Sequence, residues 1–274
     1  MELLRPDSIA DFIDIGGSFL AQHEAEHGLM LGVAIATISP ASNAYWALVA
    51  DRGTIVAAAL RTSTKLILSR EGRVGAVALL ANDARSDEIA AVLGPPASVE
   101  SFLTAVGGRW RHAMSQRIYE CRNVVRQPSV PGRDRLARAE DRAFLAAWVQ
   151  QLSLEALHEQ VTLESAAARA DDHVERGSMY VWDVDGRAVS AAAAVAPTPH
   201  GMRINNVYTP PEHRARGYAG ALVSTVTQSL LDAGRQFVFL HTDLANPTSN
   251  NLYVRIGYRP VADLTVVEAQ PAQP

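Results

Sequence analysis

Two β-hairpin signals, one in each half of the chain, constrain its fold more than any other feature. In the first, Tyr45–Ala50 leads through Asp51-Arg52-Gly53 into Thr54–Leu60; in the second, Met179–Val184 leads through Asp185-Gly186 into Arg187–Ser190 and an alanine-rich run. Glycine readily takes the positive φ that a tight primed turn demands, so a β-prone run on either side of such a turn predicts a hairpin in both places. Between them, Arg126-Gln127-Pro128-Ser129-Val130-Pro131-Gly132-Arg133-Asp134 interrupts any regular element close to the midpoint of the 274 residues. One unit used twice is the simplest reading, and a length near twice the roughly 150 residues of an ordinary domain agrees with it. We expect an α/β chain with a first domain at 1–126, a linker at 127–134 and a second domain at 135–274.

Composition excludes several classes of function. With 48% hydrophobic and 20% charged residues the chain is globular in character. A net charge of -4 offers no general attraction to polyanions, so no nucleic-acid partner is expected. Cys121 is the sole cysteine, which rules out an intrachain disulfide. The start, Met1-Glu2-Leu3-Leu4-Arg5-Pro6, lacks a basic stretch feeding an apolar run, and the longest apolar stretch, Leu29–Ile38, is short of a membrane span. A cytoplasmic protein with no membrane partner is therefore expected.

The second half carries the more informative pattern. An apolar strand is expected around Met202–Tyr208, stopped by Pro210-Pro211, and a helix from about Gly217, where Leu222, Val226 and Leu230 recur at helical spacing. Gln236–Leu240 then reads as a strand buried on both faces, and Asn246-Pro247 as the cap and first residue of a last helix. Strand, loop and helix meet at Val207-Tyr208-Thr209-Pro210-Pro211-Glu212-His213-Arg214-Ala215-Arg216-Gly217-Tyr218-Ala219-Gly220. Free backbone N–H groups and the positive end of a helix dipole converge there, which suits a phosphate, and Gly217 and Ala219 let one approach the backbone closely. Arg214 and Arg216 add positive charge.

In these motifs the chain resembles the GNAT superfamily of acetyl-CoA-dependent N-acetyltransferases. Arg214, Gly217 and Ala219 match the family's Arg/Gln-x-x-Gly-x-Gly/Ala loop; Asn246, Tyr253, Gly257 and Tyr258 match its downstream Asn, Tyr and Gly-Phe/Tyr at the family's spacing, with Ser249 where an alanine is usual. The match spans roughly residues 135–274. It implies two tandem GNAT-like domains, each a mixed, mostly antiparallel twisted sheet flanked by helices, with acetyl-CoA as cosubstrate and no metal. By the resemblance, the backbone of Val207, Tyr208 and Thr209 pairs with the pantetheine arm, and Arg214, Ala215, Arg216, Gly217, Tyr218, Ala219 and Gly220 hold the pyrophosphate. Asn246 touches the cofactor arm, and Tyr253 protonates the departing thiolate. The acceptor implied is an amine on a small molecule or peptide. No general base stands out: Asn205 and Asn206 cannot serve, and nothing selects among His241, Asp243 and Glu212. Asn246 and Tyr253 also have plainer readings, as a helix cap and a buried aromatic.

Two other features need weighing. His23-Glu24-Ala25-Glu26-His27 spells H-E-x-x-H, the pattern of a zinc peptidase, although Gly28 is expected to end the helix at once and Met30 and Val33 stand where an extended zinc motif needs Gly and His. In the first half, Ser69-Arg70-Glu71-Gly72-Arg73-Val74-Gly75-Ala76 has phosphate-loop ingredients at the wrong spacing. We expect a degenerate first domain, one cofactor per chain, and an acetyltransferase, with a non-catalytic acyl-CoA-binding module and a zinc peptidase as the alternatives.

Overall fold

Both hairpins form on primed turns. The computed structural model describes residues 1–37, 44–61, 63–84, 88–157 and 160–270. In it Arg52 and Gly53 have φ of 51° and 80°, and Asp185 and Gly186 have 52° and 81°. Two consecutive positive φ values are the signature of the type I′ turn, whose twist matches that of the flanking strands.

The first half runs β1 (Glu2–Leu4), α1 (Ile9–Ala21), α2 (Gly28–Ala36), β2 (Tyr45–Asp51), β3 (Thr54–Arg61), β4 (Lys65–Leu68), α3 (Ala76–Asp83), β5 (Ala91–Gly94), α4 (Pro96–Val106) and β6 (Trp110–Cys121). The second runs β7 (Arg133–Leu136), α5 (Arg142–Leu157), α6 (Leu163–Glu175), β8 (Met179–Val184), β9 (Arg187–Val195), β10 (Gly201–Tyr208), α7 (Tyr218–Asp232), β11 (Phe237–Asp243), α8 (Pro247–Ile256) and β12 (Arg259–Ala269). Strand β7 begins inside the 127–134 segment, so its last two residues are already part of the sheet. Gly28 opens α2, where the sequence suggested that it ends a helix; residues 22–27 form turns between α1 and α2. Among the described residues no helix is long and apolar enough to cross a membrane.

The twelve strands of the described residues join one sheet, in the order β1-β2-β3-β4-β5-β12-β6-β11-β10-β9-β8-β7. Pairing is antiparallel except for β4 with β5 and β10 with β11, the two pairs joined by a helical crossover. The halves exchange their final strands. β12, from the end of the chain, lies between β5 and β6, while β6, from the end of the first half, lies between β12 and β11.

Helices cover both faces, as an α/β sheet requires. α3 and α4 pack on β2–β5, with Leu80 and Phe102 fully buried, and α1 and α2 cover the opposite face through Phe12, Leu20 and Leu31. In the second half α7 seals one face through Leu222, Val223 and Val226, and α5 and α6 cover the other through Leu145 and Ala170. Ala25, Phe237, Phe239, Ile118 and Leu264 form a bridging cluster from both halves.

Candidate active site

The parallel strands β10 and β11 form a fork. They pair only at their first residues, Gly201–Arg203 with Phe237–Phe239, after which β10 continues to Tyr208 and β11 to Asp243 without pairing. A bulge on the other side of β10 opens the gap. Asn205 faces Ala193 and Tyr208 faces Ala191, so two residues, Asn206 and Val207, stand opposite one, and Asn206 takes a φ of 49°. A bulge bends its strand and increases twist, which carries Val207–Thr209 away from β11. Ser190 donates to the Tyr208 carbonyl (3.1 Å) and its hydroxyl meets that of Thr209 at 2.8 Å, anchoring this arm to β9.

The loop at the tip of β10 leads into α7. Pro211–His213 form a single 3-10 turn, Ala215 has a φ of 60°, and Gly217 caps α7 with a φ of 83° and no side-chain hydrogen bond. The first helical bond runs from the Ala221 N–H to the Gly217 carbonyl, leaving the N–H groups of Tyr218, Ala219 and Gly220 without a helical partner. This end can hold an anion. Side chains at two positions would crowd its surroundings: a Cβ at Gly217 would lie 3.1 Å from Val130 besides being strained, and one at Gly220 would lie 3.2 Å from Leu252. Arg216 is exposed at the rim. Arg214 is otherwise employed: Nε donates to the Thr209 carbonyl (2.8 Å), and Nη2 pairs with Glu155 of α5 at 2.6 Å. It braces the tip of β10 against α5.

Asn246 and Tyr253 lie on α8, which follows the second arm. The Asn246 side-chain oxygen accepts from the Ser249 N–H (3.1 Å), so the residue caps the helix while staying exposed. Tyr253 is buried, with its ring 6.5 Å from that of Tyr119 and 5.9 Å from that of Tyr258. Among the described residues its hydroxyl has no hydrogen-bond partner, and burial pushes its pKa up to about 12, so the phenol stays protonated at neutral pH. Tyr119 comes from β6 of the first half. Its hydroxyl donates to the Asn250 side chain (3.0 Å), whose amide in turn donates to the carbonyls of Asp243 (2.9 Å) and Asn246 (2.7 Å). The exchanged strand therefore fixes α8 against β11, a contribution that nothing in the local sequence around residue 119 announces.

Solved structures of similar fold cover nearly the whole chain. A GCN5-related N-acetyltransferase from Sphaerobacter thermophilus superposes with a TM-score of 0.64 at 17% identity, over 99% of this chain and 97% of that one. A tandem GNAT protein from the clavulanic acid biosynthesis pathway superposes with a TM-score of 0.56 at 15% identity, over 99% and 100%. A Drosophila protein gives 0.67 at 14% identity, over 99% of each chain. This is the GNAT fold. A family model described as FR47-like protein matches residues 184–266, from the second hairpin through the fork, α7 and α8 into β12. No curated protein sequence matches the chain.

Within the GNAT fold the first half repeats the fork and closes it. β4 and β5 pair at Lys65–Ile67 with Ala91–Leu93 and end one residue later, where a Cβ on Gly94 would already crowd Leu68 at 2.9 Å. α3 begins, like α7, after a glycine with positive φ: Gly75, at 88°. Its N-terminus is filled by the chain itself. The Glu71 carboxylate accepts from the Val77 N–H (2.9 Å) and from the Ser101 hydroxyl (3.0 Å), occupying the place where an anion would bind.

The H-E-x-x-H residues have structural partners. His27 Nδ1 meets the Leu20 carbonyl (3.0 Å) and Nε2 accepts from the Arg70 N–H (3.2 Å), so both ring nitrogens are engaged. Glu24 reaches into the second half, accepting from the Thr198 hydroxyl (2.5 Å) and the N–H groups of His200 (2.7 Å) and Gly201 (3.2 Å). Among the described residues no cluster of His, Cys, Asp or Glu is arranged to hold a metal ion.

The residues considered as bases are scattered. Asp243 accepts from the Ala245 N–H (2.8 Å) in the turn before α8, and Glu212 is exposed. The Asn206 amide donates to Nε2 of His173 on α6 (2.8 Å). Burial holds that imidazole below its usual pKa and neutral. His241 lies on the β11 arm with Nε2 enclosed and unpartnered; burial, with the charge of Arg203 added, holds it well below the usual imidazole range.

Proposed function

We propose that the chain transfers an acetyl group from acetyl-CoA to a primary amine by direct attack of the amine on the thioester. The observation that carries this reading is the open fork between β10 and β11, which leads to an unfilled helix N-terminus at one end and a protonated, unpartnered phenol on the adjoining helix. The pantetheine arm would lie in the gap along Val207, Tyr208 and Thr209, a strand edge with no partner on the β11 side. The pyrophosphate would sit on the N–H groups of the Arg214–Gly220 segment, with Arg216 supplying charge and Arg214 holding the loop in place. Asn246 would approach the cofactor arm from the start of α8.

In the reaction the amine nitrogen forms a bond to the thioester carbon and the C–S bond breaks. The thiolate takes the Tyr253 proton, and the proton lost by the amine returns to the phenol through solvent. Bringing amine and thioester together in one cleft supplies much of the rate without a strong base. The first half, with its fork closed and its helix plugged by Glu71, takes no cofactor and acts as a wall, contributing Tyr119.

Calorimetry with acetyl-CoA tests the binding, with one site per chain expected and none in the Gly217→Glu variant. Thiol release across an amine panel tests the chemistry. Binding that ignores Gly217→Glu, or binding with no thiol release from any amine, would overturn the reading.

A further inference from the structure

Among the described residues Arg203 is a cation without an ion-pair or hydrogen-bond partner, at the root of the fork. It is the last β10 residue paired to β11, opposite Phe239. Its neighbours Met202 and Ile204 pack with α7, as do Val238 and Leu240 of β11, so alternation turns Arg203, Asn205 and His241 to the opposite face. There the surroundings are apolar: α2 closes on Phe239 at Gly28, and Val195, across the ladder from Arg203, packs with α6. Arg203 Nε, Asn205 Oδ1 and His241 Nε2 are all enclosed with no hydrogen-bond partner, and no acidic side chain among the described residues pairs with the guanidinium. Burial pulls the Arg203 pKa down to about 10, so it remains charged at neutral pH. Leaving the Nε of a cation and two other polar atoms enclosed and unsatisfied in one recess is costly, and such a group of orphans asks for a missing ligand.

The ligand's chemistry follows from the donors. A guanidinium presents parallel N–H groups that match the two oxygens of a carboxylate, and the single positive charge balances a single negative one. The position excludes the cofactor's phosphates, which would bind at the far end of the fork, where α7 starts. We propose that Arg203, with Asn205 and His241 beside it, is a carboxylate-binding subsite that selects acceptor amines carrying a carboxylate, the chemical class of the amino acids. This rests on the acetyl transfer proposed above and names its second substrate. Bound by its carboxylate at the root, such a molecule directs its amine along the arms toward the thioester.

The experiment uses the whole protein and the products such a reaction releases. N-acetylated amino acids and their carboxamides, which differ in charge and little in shape, are titrated calorimetrically without acetyl-CoA. At least one acid is expected to bind at least about tenfold more tightly than its amide. Arg203→Gln should remove that difference while acetyl-CoA still binds. The subsite is overturned if no acid in the panel binds, if acid and amide bind alike, or if the preference survives Arg203→Gln. Should that variant fail to fold, the acid-to-amide comparison on the unaltered protein decides alone. Acetyl-CoA titrated in parallel separates the two ideas: its failure to bind sinks the acetyl transfer, whereas intact acetyl-CoA binding without an acid preference sinks only the subsite.

Discussion

In the first half the parallel strands β4 and β5 stay together to within a residue of their ends, while in the second half β10 and β11 part after three paired residues, each continuing only with its other neighbour. Both pairs are joined by a helix that begins after a glycine with positive φ, Gly75 in one and Gly217 in the other. The difference lies in what meets the free N–H groups of that helix. Glu71 occupies α3, and among the described residues no side chain caps α7. An internal carboxylate at a helix N-terminus contributes about 0.5–2 kcal/mol. The first half thus keeps for its own stability an interaction that the second half leaves available to a ligand. Two halves of similar topology need not present the same free donors when one of them satisfies its own.

The sharpest way to break this contrast is to close the open copy. Gly217→Glu places a side chain against Val130 in a strained backbone and puts a carboxylate over the helix end; calorimetry should show acetyl-CoA affinity reduced by on the order of 100-fold or more. Tyr253→Phe should lower kcat for thiol release by about 100-fold with acetyl-CoA affinity retained, because the hydroxyl makes no hydrogen bond that holds the fold. Burial raises the phenol's pKa to about 12, so the folded chain favours the protonated form. Its contribution to stability is complete below about pH 10, the unfolded value, and is lost as pH rises from there through the folded value. The Phe variant should lack that alkaline decline in denaturant titrations.

Glu24→Ala tests the joint between the halves. It strands the donors of the Thr198–Gly201 turn at the root of β10, and chemical denaturation should show a loss of about 2–3 kcal/mol. Burial opposes ionisation of Glu24, yet hydrogen bonds from Thr198 and His200 and the nearby His200 charge hold its pKa below the ordinary carboxylate value. The stability it brings is therefore present above that ordinary value and lost as pH falls through the depressed one. The smallest effect belongs to Glu71→Ala, which should cost about 1 kcal/mol and leave the acetyl-CoA stoichiometry at one, since β4 and β5 still offer no gap. A stoichiometry rising to two in that variant would show that Glu71 alone distinguishes the halves.

What the sequence revealed was local. The type I′ turns at Arg52-Gly53 and Asp185-Gly186, the stop at Pro210-Pro211, the glycine before α7 and the Asn246-Pro247 start of α8 depend on residues next to one another in the chain, so each could be read without the fold. The strand exchange could not, because whether β6 pairs with β11 or stays within its own half depends on contacts between residues more than a hundred positions apart. Arg214 was legible as a member of the loop but not as the partner of Glu155, which lies on α5. Glu71 was visible as part of a loop at the wrong spacing, yet its reach to Val77 depends on a turn whose path the spacing does not give. The Arg203 recess was hidden for a similar reason: alternation puts Arg203 and Asn205 on one face, but that His241 of β11 lies beside them depends on how β10 and β11 pair.

The exchanged strands also have a consequence for how the protein is made. β12 is the last strand of the chain, and it occupies the middle of the sheet, between β5 and β6. During synthesis β5 and β6 must wait, with ladder edges unpaired, until Arg259–Ala269 leave the ribosome, a long exposure for edges able to pair with other chains. Folding that depends on so distant a contact is expected to be slow. A chain cut before Arg259 would lose a central strand of the sheet, and the pairing of β6 with β11 would be the strand contact left between its two halves.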